Sequence, residues 1–225
     1  MLPQAILFDW DNTLVDSWRA CKEAFNITLE RFGHRALTEE EFRRRPQISL
    51  RDGFPPLFGE QWQAAEHDYY NILTKIHLDY IRPLTGAAEL LESLRNWGVY
   101  VAVVSNKKGD VLRQEVQHLG WDRYFKKVVG ARDAETDKPT LAPVKLALGL
   151  TNLELGNHIW FVGDSATDME CARNGGFTPI FLGTPETAEL HKVDATTAWR
   201  LESCMQLREF ISSRWTSFKS ISSPT

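Results

Sequence analysis

The sequence predicts a doubly wound α/β fold, in which a parallel sheet with helices on both faces carries an inserted α-helical domain. Short apolar runs rich in Val, Ile and Phe recur along the chain, as is typical of strands buried on both faces. Segments of helical period separate most of these runs, and this alternation indicates parallel strands joined by right-handed crossovers. One long segment after the first run contains helical patterns only, which indicates the insertion.

Five apolar runs are the predicted strands: Ala5–Phe8, Tyr100–Val104, Lys127–Val129, Ile159–Val162 and Pro179–Leu182. The helices predicted between them are Gly86–Trp97, Asp110–Leu119, Pro143–Leu150 and Thr167–Asn174, with a last helix near Leu201–Ile211. Three of these helices are followed by glycine stop signals, at Gly98, Gly120 and Gly175. The Ser-rich end of the chain is expected to fray.

The inserted segment shows no strand candidate between Asp16 and Arg82. Thr38 and Glu41 have the spacing of a capping box at the start of a helix. Prolines and glycines in "IRPLTG" indicate a return hinge, and the outgoing hinge is expected near Asp16–Ser17. We therefore predict a core domain of residues 1–16 and 83–225 and a helical cap domain of residues 17–82. The predicted cap helices are Trp18–Phe32, Thr38–Arg44 and Glu60–Tyr80.

Composition places the chain among ordinary globular proteins, with 43% hydrophobic and 25% charged residues in a length of 225. A net charge of -4 does not favour nucleic acid or an anionic membrane as a partner. The sequence shows no signal peptide and no apolar run long enough for a bilayer. The scattered cysteines show neither zinc spacing nor a disulfide framework, so we expect a reducing, cytoplasmic location. The oligomeric state cannot be read from the sequence.

Carboxylates are crowded just beyond the first predicted strand, where Asp9 and Asp11 stand two positions apart. In open α/β sheets the functional site lies at the carboxyl ends of the strands. If the strands are neighbours, the polar residues that follow each of them converge on one crevice. Those residues are Ser105 and Asn106, then Asp133, Asp137 and Lys138, and finally Asp164, Ser165 and Asp168.

These residue types point to phosphoryl transfer assisted by a metal ion. Close carboxylates repel one another unless a cation lies between them, and Mg²⁺ prefers carboxylates, waters and a substrate phosphate. Lysine, serine and amide groups can hold phosphate oxygens and offset developing charge. One carboxylate can then attack phosphorus while a second acts as general acid and base.

Four stretches of the chain resemble the motifs of the haloacid dehalogenase-like (HAD) superfamily, and they occur in the same order. "FDWDNTLVDS" resembles the first motif, "VVSN" the second, "DKP" the lysine motif and "GDSATD" the acidic fourth motif. The resemblance covers nearly the whole chain except its end. The inserted helices are similar to the C1 cap of the phosphoglycolate phosphatase-like branch. The resemblance implies a Rossmann-like core under this cap.

The resemblance also implies a role for each matching residue. Asp9 would be the nucleophile and Asp11 the general acid and base. Mg²⁺ would be held by Asp9, by the backbone carbonyl of Asp11 and by Asp164, with Asp168 as a further ligand or as an anchor for Lys138. The aspartate at position 11 favours phosphate transfer over dehalogenation, because the dehalogenases of the superfamily lack it. The phosphoryl group would be bound by Ser105 and Lys138. The amide of Asn106, from its residue type and position, is a further candidate to bind the substrate.

Two departures from the family pattern concern backbone geometry. Asn12 stands where the family usually has glycine, and asparagine tolerates a left-handed backbone better than most residues. Pro143 comes later than in the usual "KPxP", which leaves the geometry of that loop open. Neither departure removes a catalytic group.

Other charged residues have competing interpretations. We expect Asp133 and Asp137 to be solvated loop residues and Asp16 to belong to the hinge or to cap a helix. Asp168 has the alternative role of capping the helix that follows it. In the cap, the arginines of "FRRRP" and Arg51 are candidates to contact an anionic substrate, of which we select Arg51; a solvated helix end and simple loop packing are the alternatives. The six histidines show no ligand spacing.

The sequence thus predicts a Mg²⁺-dependent phosphatase that hydrolyses a small phosphorylated metabolite through an aspartyl-phosphate. Phosphoglycolate is the first substrate to test, because of the branch that the chain resembles. A phosphomutase or a phosphonate hydrolase on the same core is an alternative. So is a phosphate-binding module that has kept the fold and lost catalysis.

Overall fold

A computed structural model describes residues 2–45, 47–193 and 199–222, with side chains up to residue 215. Within these residues, six strands form one parallel sheet and two more form a short antiparallel ribbon. The strands are β1 (Ala5–Phe8), β2 (Val15–Asp16), β3 (Arg82–Pro83), β4 (Tyr100–Lys108), β5 (Lys127–Ala131), β6 (Ile159–Gly163), β7 (Thr178–Leu182) and β8 (Trp199–Leu201). The order in the large sheet is β5-β4-β1-β6-β7-β8.

Helices cover both faces of this sheet, which confirms the predicted α/β fold class. They are α1 (Trp18–Arg31), α2 (Glu39–Arg43), α3 (Leu50–Gly53), α4 (Pro55–Phe58), α5 (Trp62–Tyr80), α6 (Ala87–Asn96), α7 (Gly109–His118), α8 (Ala142–Leu148), α9 (Ala166–Asn174), α10 (Pro185–Leu190) and α11 (Cys204–Ser222). Among the described residues, none of these helices combines the length and the apolar character needed to cross a bilayer.

The first strand shows why its sequence is apolar at every position. Ile6 and Phe8 point into the layer formed by α6, α7 and α11, whereas Ala5 and Leu7 point into the layer of α8 and α9. All four side chains are fully buried, because successive residues of a strand face opposite sides of the sheet. β1 thus lies at the centre of the fold, between β4 and β6.

Helices α1 to α5 form the cap, whose own core contains Phe25, Phe54 and Tyr69. The chain enters the cap through β2 and returns through β3, and these two strands pair with each other. The capping box predicted at Thr38 and Glu41 is present at the start of α2. The ribbon lies where the sequence predicts the two hinges, and the division into domains at residues 17 and 82 stays a prediction.

Several elements differ from the sequence prediction. β4 continues to Lys108, so Ser105 and Asn106 lie within the strand, beside an irregular register with β5. The segment around residues 50–58, to which no helix was assigned from the sequence, forms α3 and α4, which are too short to show a helical period. α10 and β8 were not predicted. The last helix runs through Ser222, beyond its predicted end, and Trp215 stacks on Trp97 in that extension.

Candidate active site

The predicted site residues of the core meet at the carboxyl ends of the three central strands. Asp9 directly follows β1, and its backbone N–H donates to the carbonyl of Val162 in β6 at 2.8 Å. Ser105 lies in the last part of β4, and Asp164 directly follows β6. The sequence argument required these strands to be neighbours, and the sheet order satisfies that condition.

A cavity of about 150 Å³ lies between this edge of the sheet and the cap. The cap contributes mainly aromatic and apolar side chains, among them Trp18, Phe42, Ile48 and Tyr69, together with Arg45. The polar wall comes from the core and includes five of the predicted site residues. They are Asp9, Asp11, Ser105, Asn106 and Lys138.

Three carboxylates form a buried cluster beside the cavity. Asp9, Asp164 and Asp168 each offer an oxygen atom, and these atoms all lie within 4.8 Å of one another. Burial raises the pKa of Asp9 to about 7, with repulsion from Asp168 and Asp11 contributing and Lys138 opposing. Burial, followed by repulsion from Asp9 and Asp168, also raises the pKa of Asp164 well above its usual range. Such hard oxygen donors at high negative charge density fit Mg²⁺.

Lys138 lies against this cluster and is itself buried. Its Nζ donates to Asp9 Oδ1 at 2.6 Å and to Asp168 Oδ1 at 2.7 Å. Burial alone would lower the pKa of Lys138, but Asp168 and Asp9 outweigh it and raise that pKa above its usual value. Lys138 is therefore a cation in this structure and holds one oxygen of Asp9.

Asp168 combines the two roles that the sequence left open. Its Oδ1 anchors Lys138, and its Oδ2 accepts hydrogen bonds from Ser165 Oγ at 2.6 Å and Ser165 N at 3.1 Å. The bond from Ser165 N, together with a bond from the backbone N–H of Asp168 to Ser165 Oγ at 3.3 Å, forms a capping box at the start of α9. Because both oxygens are engaged, this geometry supports the anchoring role over direct coordination of a metal.

Asp11 points to a different lysine. Asp11 Oδ1 accepts a hydrogen bond from Lys107 Nζ at 2.6 Å and another from Ser17 Oγ. Burial alone would lower the pKa of Lys107, but Asp11 and Glu115 outweigh it and raise that pKa. The turn between β1 and β2 that carries Asp11 requires a left-handed residue, and Asn12 has φ 60° there. Asn12 thus adopts the left-handed backbone that asparagine was expected to tolerate where the family usually has glycine.

Asn106 holds the loop that carries Lys138. Its side-chain oxygen accepts from the backbone N–H of Lys138 at 3.1 Å, and its Nδ2 donates to the carbonyl of Lys138 at 3.2 Å. Ser105 Oγ accepts from the backbone N–H of Lys107 at 3.1 Å, which leaves its own O–H free to donate into the cavity. Asn106 thus positions Lys138, and Ser105 faces the ligand space.

Arg51 does not line the cavity, contrary to what we expected of it. Its Nη2 lies 2.7 Å from Asp137 Oδ1 and its Nη1 donates to the carbonyl of Glu135 at 3.0 Å. The prediction that Asp137 is a solvated loop residue is wrong, because this side chain is buried between Arg51 and the backbone N–H of Arg132. An acidic partner on the core holds Arg51 away from the ligand space.

Three residues with contacts at this site were not selected from the sequence. Arg45 lines the cavity from the cap, and Lys107 contacts Asp11. Gln47 donates to Asp164 Oδ2 at 3.0 Å and lies 3.1 Å from His191 Nδ1. Arg45 belongs to the "FRRRP" stretch, whose arginines were candidates to contact substrate. Lys107 stands two positions after Ser105, and strand alternation places both on one side.

The raised pKa of Asp9 predicts how stability depends on pH and metal. A carboxyl group whose pKa is raised on folding stabilises the folded state at low pH, and this contribution disappears as the pH rises through the folded pKa, here about 7. The unfolding temperature of the metal-free protein should therefore fall between about pH 5 and about pH 8. Added Mg²⁺ should raise it, and more at the higher pH. Thermal melts with EDTA or Mg²⁺ measure both trends, and a flat profile in EDTA would contradict the burial argument.

Comparisons with known proteins agree with this architecture. Residues 6–181 match the family model described as haloacid dehalogenase-like hydrolase. A pyrophosphatase PpaX of Listeria monocytogenes is 28% identical over 173 residues, covering 75% of this chain and 78% of that protein. A phosphoglycolate phosphatase of Aquifex aeolicus is 28% identical over 178 residues, covering 77% and 81%. The crystal structure of a HAD-superfamily hydrolase from Ehrlichia chaffeensis superposes with a TM-score of 0.64 at 29% identity, covering 94% and 97%.

The chain belongs to the haloacid dehalogenase-like hydrolase family, as its four motifs predicted. Its fold and relatives also agree with the prediction that it is an enzyme, a phosphatase of the HAD type.

Proposed function

We propose that this protein is a Mg²⁺-dependent phosphatase that hydrolyses small phosphorylated metabolites through an aspartyl-phosphate on Asp9. The observation that carries the proposal is the surroundings of that one carboxylate. Asp9 is buried at the cavity wall, one oxygen is held by Lys138, and two further carboxylates lie beside it. A buried carboxylate that is fixed by a cation and faces a ligand cavity is suited to act as a nucleophile.

In the proposed first step, an oxygen of Asp9 attacks phosphorus and the bond to the leaving oxygen breaks. Asp11 gives its proton to that oxygen, so the product leaves as an alcohol. In the second step, Asp11 takes a proton from water, and the resulting hydroxide attacks phosphorus. The bond between phosphorus and Asp9 breaks, which releases inorganic phosphate and restores both carboxyl groups.

Other residues of the chain offset charge and exclude water in this mechanism. Lys138 lies where it can stabilise the phosphoryl oxygens, and Ser105 can donate to them. Asp9, Asp164 and the backbone carbonyl of Asp11 are the groups that would hold Mg²⁺, with Asp168 keeping Lys138 in place. When bound, the metal supplies positive charge beside the transferring phosphoryl group. The apolar cap wall limits the access of bulk water.

The substrate class is suggested by Arg45. Its neighbours Arg43 and Arg44 form ion pairs with Glu39 and Glu40, but no carboxylate of the described residues pairs with Arg45. Its guanidinium lies 3.6 Å from the centroid of the Phe25 ring. Burial lowers the pKa of Arg45 only to about 10, so it remains a cation at neutral pH.

The Phe25 ring offsets part of the cost of burying this cation, and an anion that pairs with it would offset more. We therefore propose a substrate that carries a second anionic group beside the phosphoryl group it loses. A carboxylate, as in phosphoglycolate, and a second phosphate, as in pyrophosphate, both meet this requirement. The relatives named phosphoglycolate phosphatase and pyrophosphatase support the same two candidates.

The free cysteines Cys21, Cys171 and Cys204 support a cytoplasmic location.

A substrate panel tests the proposal. The protein and Arg45→Met are assayed for phosphate release from phosphoglycolate, pyrophosphate and ethyl phosphate, each with Mg²⁺ and with EDTA. We expect activity with Mg²⁺ only. Loss of the charged contact should raise KM for phosphoglycolate and pyrophosphate, which carry a second anionic group, about 10- to 100-fold and leave KM for ethyl phosphate within about twofold. Arg44→Met, which removes an exposed neighbouring arginine, is the matched control and should leave all three unchanged.

Four outcomes would count against the proposal or a part of it. Activity in EDTA would contradict the metal requirement. A transfer of phosphate to a second sugar phosphate in place of water would favour the mutase alternative, and complete inactivity on a broad metabolite panel would favour the binding module. If Arg45→Met raised KM for ethyl phosphate as much as KM for the other two substrates, only the proposed role of Arg45 would be contradicted.

A further inference from the structure

A second buried lysine contacts the second catalytic aspartate. Lys107, at the end of β4, lies in a network with Glu115 of α7, His77 of α5 and Trp10 of the turn after β1. We call these four residues the Lys107 network. Each of these four residues is at most 8% exposed. None of the four has a role in the family resemblance or in the steps above.

The contacts of the network converge on Glu115 and then on Asp11. Lys107 Nζ donates to Glu115 Oε1 at 2.8 Å and to Oε2 at 2.7 Å. Trp10 Nε1 donates to Glu115 Oε2 at 2.7 Å, and His77 Nδ1 donates to Oε1 at 2.9 Å. Glu115 is therefore fully held from three sides, and it fixes the lysine that reaches Asp11 Oδ1 at 2.6 Å.

The two oxygens of the Asp11 carboxyl group have different hydrogen-bond partners. Both hydrogen bonds that the described residues make to this carboxyl group end on Oδ1, one from Lys107 and one from Ser17. Oδ2 receives none from the described part of the chain. Asp11 lines the cavity, so the oxygen without a partner is the one available to a leaving group or a water molecule.

Burying the carboxylate of Glu115 with the ammonium of Lys107 is often no better for stability than filling the same space with apolar side chains. A stable core beside β4 would not need this network, which suggests that its contact with Asp11 has another use. The nucleophile and the acid/base residue also have separate lysines, since Lys138 holds Asp9 and Lys107 holds Asp11, each at 2.6 Å.

We propose that Lys107 is a positioning residue for the proton-transfer steps: it holds Asp11 by Oδ1 so that Oδ2 exchanges the proton with the leaving oxygen and then with water. Glu115, supported by Trp10 and His77, holds Lys107 in turn. This inference rests on the proposed aspartyl-phosphate mechanism. It adds a residue that acts through Asp11 and does not touch the substrate.

The test separates proton transfer from phosphorus attack. Lys107→Met is compared with the wild type in single-turnover reactions with phenyl phosphate, whose leaving group needs a proton, and para-nitrophenyl phosphate, whose leaving group departs without one. A misplaced Asp11 should slow the phenyl ester about 10²-fold. The para-nitrophenyl ester should slow less than about fivefold, with KM nearly unchanged for both.

The second step supplies an independent readout. Because water must still give a proton to Asp11, steady-state turnover of para-nitrophenyl phosphate should fall about as much as single turnover of the phenyl ester. A burst of nitrophenolate equal to the enzyme concentration should therefore precede slow turnover in Lys107→Met. Lys108→Met, the neighbouring half-exposed lysine that pairs with Asp110, is the matched control and should show no burst.

Removing Lys107 leaves Glu115 without its cation, so loss of stability must be distinguished from loss of positioning. The double variant Lys107→Met/Glu115→Gln removes both charges of the pair and should regain stability in thermal melts. If Lys107 positions Asp11, this variant stays slow on phenyl phosphate and keeps the burst. If it recovers both stability and rate, or if both esters slow equally, the inference is overturned. Failure of the proposed function looks different, since the wild type would then form no aspartyl-phosphate.

Discussion

Asp9→Asn is expected to lower kcat for phosphate-ester hydrolysis by roughly 10⁴-fold or more, as loss of a catalytic nucleophile does in other enzymes. The amide has nearly the same shape as the carboxylate, but its oxygen is a weak nucleophile and carries no charge for a metal. The cavity, Lys138 and the other carboxylates remain. The residual rate should therefore reflect binding and electrostatic stabilisation alone.

The measurement pairs steady-state kinetics with detection of the covalent intermediate. Acid-quenched wild type should carry a phosphoryl group on the peptide that contains Asp9, and Asp9→Asn should carry none. Asp16→Asn is the matched control from the same stretch of sequence, because this exposed acid accepts a hydrogen bond from the backbone N–H of Trp18 and does not line the cavity. Full activity in Asp9→Asn would refute the mechanism.

Lys138→Met is expected to reduce both activity and stability. Loss of one preorganised cation at the transition state lowers kcat by about 10²- to 10³-fold. Removal of one partner from a buried charge cluster costs roughly 3–5 kcal/mol of unfolding free energy, because Asp9 and Asp168 then lie buried without their shared cation. Denaturant melts and kinetics at a temperature well below the transition measure the two effects separately.

A second substitution separates these effects. Lys138→Met/Asp168→Asn removes one of the stranded carboxylates and should regain part of the stability without regaining kcat. Lys145→Met, which changes an exposed lysine of α8, should alter neither quantity. A loss of kcat no larger than the unfolded fraction would mean that Lys138 only maintains the fold.

The core and most of the site could be predicted from the sequence. Buried parallel strands must be apolar at consecutive positions, so β1, β4 and β6 stand out in the sequence. Polar residues directly beyond such strands lie at the carboxyl edge of the sheet. Asp9, Ser105 and Asp164 could therefore be assigned to one crevice before their distances were known.

The cap was less predictable, because its residues meet through side chains and not through a regular backbone pattern. Arg45 and Arg51 are six positions apart and look equivalent in the sequence. Packing turns Arg45 over Phe25 at the cavity, whereas Asp137 of the core captures Arg51. The local sequence does not indicate which carboxylate an arginine will pair with across the contact between cap and core.

What the sequence determined by itself is the alternation of the central strands with their helices, the family and the acids at the strand ends, since these follow from local apolar patterns and short motifs. Only the tertiary structure decided which groups hold those acids. The Lys107 network joins Trp10 to Glu115 across 105 positions, and it encloses Glu115 only because the turn after β1, the end of β4, α5 and α7 pack together. Burial gives such contacts their strength, and burial is a property of the folded chain.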